Sequence, residues 1–170
     1  MAADFQALPR HDQGALVAGA LAILLSFFGA FVTASVEGSD DIPGLSSIDT
    51  SSGTNAWYSF GTLGMLLIVV AVAVVAVKAF AASNLPDGVP WRLVALAAAG
   101  LGTLLVVLRG LTEGSGDIPD GLGVSVDVGP GWSGWLLFVA AIALTVFTAL
   151  AFRDSGETIP ELRKDDPPAA

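Results

Sequence analysis

The residues best placed for chemistry in this chain are carboxylates. Asp40, Asp41 and Asp49 share one short polar stretch, and Asp117, Asp120 and Asp127 share another that repeats it 76 to 78 positions later. Such groups are hard oxygen donors of the kind calcium takes, and a close carboxylate pair can serve in general acid–base catalysis. The spacing does not fit an EF-hand loop. Asp41, Asp49, Asp117, Asp120 and Asp127 are therefore cation candidates beside a plainer reading, in which they are solvated acids that shape turns. No nucleophile, phosphate loop or hydrolase elbow accompanies them, so no enzymatic activity is expected.

A second candidate is Arg109, in the apolar run "LLVVLRGLTEG". A charge inside such a run is costly and marks either a function or a structural pair. Glu113 lies four residues on, within reach of an ion pair, or Arg109 meets a partner or an anion. Trp57, Trp132 and Trp135 are the remaining interaction candidates. Their rings combine an apolar body with a polar edge, which suits a membrane–water boundary.

The chain has no cysteine and one histidine, His11. Disulfides, thiolate metal sites and cysteine nucleophiles are excluded, a histidine-ligated haem is not expected, and no cofactor is expected. No basic patch suggests nucleic acid as a partner.

The elements that must carry these residues are strongly apolar. Of 170 residues 54% are hydrophobic and 14% charged, where a soluble domain carries about 25% charged residues. Blocks of about 20 apolar residues match the roughly 30 Å hydrocarbon core of a bilayer. The sequence predicts an all-α membrane protein, a bundle of four transmembrane helices built from two duplicated helical hairpins. A cytoplasmic segment 1–13 leads into spans 14–36 and 57–82, joined by an outer loop 37–56. A turn at 83–90 precedes spans 91–111 and 132–153, joined by an outer loop 112–131, and a polar tail covers 154–170. Asp12 is a suitable N-cap for the first span.

Charge placement orients the spans. Arg10, Lys78, Arg92, Arg153, Arg163 and Lys164 fall on one side of a four-crossing chain, and the two other loops hold acids without a basic residue. The positive-inside rule puts both termini in the cytoplasm of a plasma-membrane protein and both acidic loops outside.

The duplication rests on order and spacing. "EGSDDIPG" at 37–44 is matched by "EGSGDIPDG" at 113–121, and Gly53 and Trp57 by Gly131 and Trp135. Within the loops, "GVSVDVG" at 123–129 alternates in the period of a strand, with a weaker form around "SSID" at 46–49. Small β elements pairing the two outer loops are expected, with the "DIP" turns closing spans one and three. Glycines in the spans, among them Gly19, Gly64 and Gly102, allow close helix approach within the chain or between subunits.

Four spans with outer β structure resemble the tetraspan plan of claudin-like proteins, although the Trp-Gly-Leu-Trp motif and cysteine pair of that group are missing. The stretch "GPGWSGWLLFVAAIAL" and the Ala/Val/Gly/Asp-rich composition are similar to small tetraspan proteins of high-GC Gram-positive bacteria. That resemblance implies a multi-pass plan and no particular activity. The expected function is assembly in the lipid bilayer, as a homo-oligomeric scaffold or an accessory subunit of a larger membrane complex. A small channel or transporter, and an extracellular calcium sensor, are the alternatives.

Overall fold

The computed structural model describes residues 5–37, 52–86, 88–112 and 125–157. These residues form helices α1 Arg10–Ser26, α2 Gly61–Phe80, α3 Trp91–Thr112 and α4 Trp132–Ser155, with strands β1 Val32–Glu37, β2 Ser52–Thr54 and β3 Ser125–Pro130. α2, α3 and α4 are each long and apolar enough to cross a membrane.

The first apolar block differs from the expectation of a single span over 14–36. α1 starts at Arg10 and has 17 residues, about 25 Å at 1.5 Å per residue. The chain then turns at 27–31 and continues as a strand. The cause is local. Val32, Ala34 and Val36 alternate with Thr33 and Ser35, a period of two that an apolar run conceals. The β-branched side chains favour the extended backbone.

Ser26 fixes the end of α1. Its hydroxyl donates to the Ile23 carbonyl at 2.6 Å and accepts the Trp57 indole N–H at 2.8 Å. The Ala56 amide donates to the Ser26 carbonyl, and the Trp57 ring stacks on Phe27 at 5.7 Å. Trp57 thus clamps the segment before α2 onto the end of α1. Trp57→Phe keeps a ring there and removes the hydrogen bond. A loss of about 1 kcal/mol is expected, measured as a lower unfolding midpoint in detergent.

The strands form one antiparallel sheet in the order β2-β1-β3. Val32 pairs with Thr54 on one side and Pro130 on the other, and Ser35 pairs with Asp127. The strand expected at 123–129 is observed at 125–130, and β1 joins the two connections between helices. The "SSID" stretch and both "DIP" turns lie outside the described residues.

The two sequence units are not built alike where they can be compared. Residues 32–36 are in a strand, whereas their counterparts at 108–112 finish α3. "VTASV" alternates, while "LRGLT" continues a leucine-rich helical run. The helices close in a ring, with α1 packed on α2 and α4, and α3 on α2 and α4. Along its axis Ala22, Met65, Ile68, Ala99, Leu137 and Leu144 have no exposed surface.

Candidate functional site

Both ends of the bundle gather polar and aromatic groups. At the end that carries the sheet, Arg109 is 1% exposed. The last turn of α3 carries it under the turn 56–60 that precedes α2. Its Nε donates to the Tyr58 carbonyl at 3.3 Å. Its guanidinium carbon lies 5.7 Å from the Tyr58 ring centroid and 5.8 Å from that of Phe60. Aromatic faces attract a cation and take the place of lost water. Arg109 is buried here rather than reaching outward to solvent, and Glu113 lies outside the described residues.

The tryptophans part company. Trp57 is half-buried, whereas Trp132 and Trp135 are 56% and 57% exposed. Trp132 meets Phe28 edge-on at 5.3 Å and Trp135 meets Phe138 at 5.7 Å. Together with exposed Phe27, Tyr58 and Phe60 they form an aromatic collar at this end. Among the cation candidates, Asp41, Asp49, Asp117 and Asp120 lie outside the described residues, and Asp127 sits in β3. No group of three potential ligands gathers among the described residues.

The opposite end holds a charge network that sequence reasoning did not assemble. Asp12, in the first turn of α1, is 2% exposed and takes both terminal nitrogens of Arg92 in a fork, one of them at 2.8 Å. It does not cap α1; Pro9 holds that position without a side-chain hydrogen bond. α4 ends at Gly156, whose φ of 68° is the left-handed conformation that glycine adopts freely. The chain therefore turns back and brings Glu157 to Lys78, near the end of α2. The other Glu157 oxygen accepts the backbone amides of Arg92 at 2.9 Å and Leu93 at 3.4 Å. A carboxylate there also complements the positive end of the α3 dipole. His11 Nε2 lies 3.0 Å from Asp154 Oδ2. A cavity of about 140 Å³ beside it is lined by His11, Asp12, Arg92 and Asp154.

Through these pairs one end of each helix is tied to another: α1 to α3, α2 to the turn after α4, and α1 to α4. The arrangement is an ionic lock. Ser155, its one hydroxyl beside His11 and Asp154, donates to the Phe152 carbonyl at 2.7 Å and accepts the Glu157 amide at 3.2 Å, so it is held as a helix-end contact.

Burial works against the charge of Glu157, but the Lys78 ammonium and the Arg92 and Leu93 amides outweigh it and hold the carboxyl below its ordinary value of 4.5. A carboxyl depressed in the folded state contributes stability above the unfolded value and loses it as pH falls through the folded one. Thermal stability is therefore expected to decline as pH drops below about 4.5, and less so in Glu157→Gln. An identical acid profile for the two proteins would contradict this.

No family model, curated protein or solved structure matches this chain.

Proposed function

We propose that this chain is a multi-pass membrane protein that works by assembly, as a homo-oligomeric scaffold or an accessory subunit of a larger membrane complex. The carrying observation is where its apolar surface lies. Leu101, Leu104, Leu108 and Leu111 form an exposed stripe on α3, and Leu136, Val139, Ile142 and Val146 form one on α4. Soluble monomers rarely expose apolar patches beyond a few hundred Å². Lipid and neighbouring helices are the surroundings such stripes fit.

The lock supports an orientation. Arg10, Lys78, Arg92 and Arg153 stand at that end, which supports a cytoplasmic location for it. The sheet and the aromatic collar then face outward, with α1 as a short fourth span whose outer end is finished by Phe27 and Phe28. The filled axis of the bundle favours assembly over conduction through a single chain. A path there would have to pass Met65, Ile68, Leu137 and Leu144.

Extraction in mild detergent followed by native mass measurement tests the reading. A stable oligomer or a co-purifying membrane subunit is expected. A lone monomer at every concentration would overturn it, and solute flux in liposomes altered by Arg109→Ala would favour the channel.

A further inference from the structure

We propose that the groove between α1 and α4 binds one anionic phospholipid of the cytoplasmic leaflet, with an acyl chain on its apolar floor and the phosphate at Arg10. The inference rests on the membrane reading above. The open groove offers about 680 Å³, within the roughly 300–1,000 Å³ of small-ligand sites. Val17, Leu21 and Leu25 line it from α1, and Leu136, Val139 and Phe147 from α4.

Its polar groups sit at one end. Arg10 and Gln13 line the mouth at the end of the ionic lock. The Gln13 amide donates to the Leu8 carbonyl at 2.8 Å, which ties the leading segment back and sets Phe5 beside the mouth. Among the described residues the acids nearby are engaged elsewhere: Asp12 with Arg92, Asp154 with His11 and Arg153, and Glu157 with Lys78. Among the described residues no ion pair involves Arg10, which is exposed. A cation at the mouth of an apolar groove complements a lipid phosphate above its chain, and anionic lipids are concentrated on the cytoplasmic side.

Length separates a lipid from a partner helix. From Leu136 to Phe147 the groove runs about 16 Å along α4 at 1.5 Å per residue. That is about half of the roughly 30 Å hydrocarbon core, the depth of one leaflet. Beyond it the ring of Phe28 meets Trp132 across the seam. A membrane-spanning helix would need the groove to continue through the other leaflet.

The full chain, purified in mild detergent and offered phosphatidylglycerol or phosphatidylcholine, is measured by native mass spectrometry. Retention of one phosphatidylglycerol per chain in preference to phosphatidylcholine is expected. Arg10→Ala should cut that preference about fivefold, the worth of one basic residue beside an anionic surface. Val139→Trp, which fills the floor from an exposed position, should lower retention of both lipids. Equal retention of the two headgroups, or a preference unchanged in Arg10→Ala, would overturn the proposal. Since the chain has no cysteine, Val17→Cys gives a single thiol in the groove. Its efficient cross-linking to a second copy in membranes would also overturn the lipid site. Alkaline carbonate washing keeps the two readings apart. A chain washed off the membrane fails the membrane reading, whereas a retained chain without lipid preference fails the lipid site alone.

Discussion

Asp12→Ala is expected to destabilise the bundle by about 3–5 kcal/mol, the cost of leaving one member of a buried ion pair without the other. Asp12 is nearly inaccessible and Arg92 is 14% exposed. Water therefore reaches the orphaned guanidinium poorly, and the carboxylate it lost had met it on two nitrogens. The pair joins α1 to α3, which do not neighbour each other in the chain, so the helices should also part at that end. Asp12→Leu combined with Arg92→Met separates attraction from desolvation. With both charges gone the interior has nothing uncompensated, and the double variant should recover most of the loss. Arg153→Ala is the control. Arg153 is 80% exposed and 3.8 Å from Asp154, and such pairs contribute little. Thermal unfolding in one detergent compares all four. A double variant no more stable than Asp12→Ala would show that the fork itself, not the stranded charge, carries the energy.

Asp12 and Arg92 show what kind of information the sequence holds openly and what it holds in phase. Four apolar blocks are visible at a glance, and three of them become helices near the expected bounds. The fourth hid a strand, because the eye reads "FVTASV" as apolar before it reads the alternation. The ionic lock was legible only as helical spacing. Asp12 continues the buried face of Ala15, Ala18, Ala22 and Ser26, while Arg92 and Arg109 bracket the buried face of Ala95, Ala99, Gly102 and Val106. Both charges of α3 are thus in step with its small-residue stripe and had to point inward. Glu157 carried no comparable signal. Its position depends on the left-handed turn at Gly156, and its partners are 79 residues away at Lys78 and 65 away at Arg92.

Gly102→Leu is expected to open the seam between α2 and α3. A Cβ at Gly102 would stand 2.8 Å from the Gly64 carbonyl oxygen and 3.1 Å from the Ile68 amide nitrogen. Both are backbone atoms of α2, which no rotamer change can move aside. From the other side, a Cβ at Gly64 would stand 3.1 Å from the Gly102 carbonyl oxygen. The helices meet backbone to backbone, the close approach that small residues permit. Overpacking in such a place costs about 1–3 kcal/mol or more, and leucine must displace a whole helix, so the upper part of that range is expected. Gly100→Ala sharpens the test from the same helix. The nearest atom to a Cβ there is the Thr145 methyl at 3.9 Å, an ordinary contact. With no clash to offset it, alanine should stabilise by up to about 1 kcal/mol through helix propensity. Opposite signs two residues apart would locate the close approach inside one chain rather than between subunits. The consequence reaches the far end of α3, because Arg109 lies two turns beyond Gly102 on the same face. If α2 is pushed away, the turn bearing Tyr58 and Phe60 lifts from the guanidinium, and water enters beneath the aromatic collar. Greater quenching of tryptophan fluorescence by an aqueous quencher in Gly102→Leu than in Gly100→Ala would record that opening at the collar, and equal quenching would confine the damage to the seam.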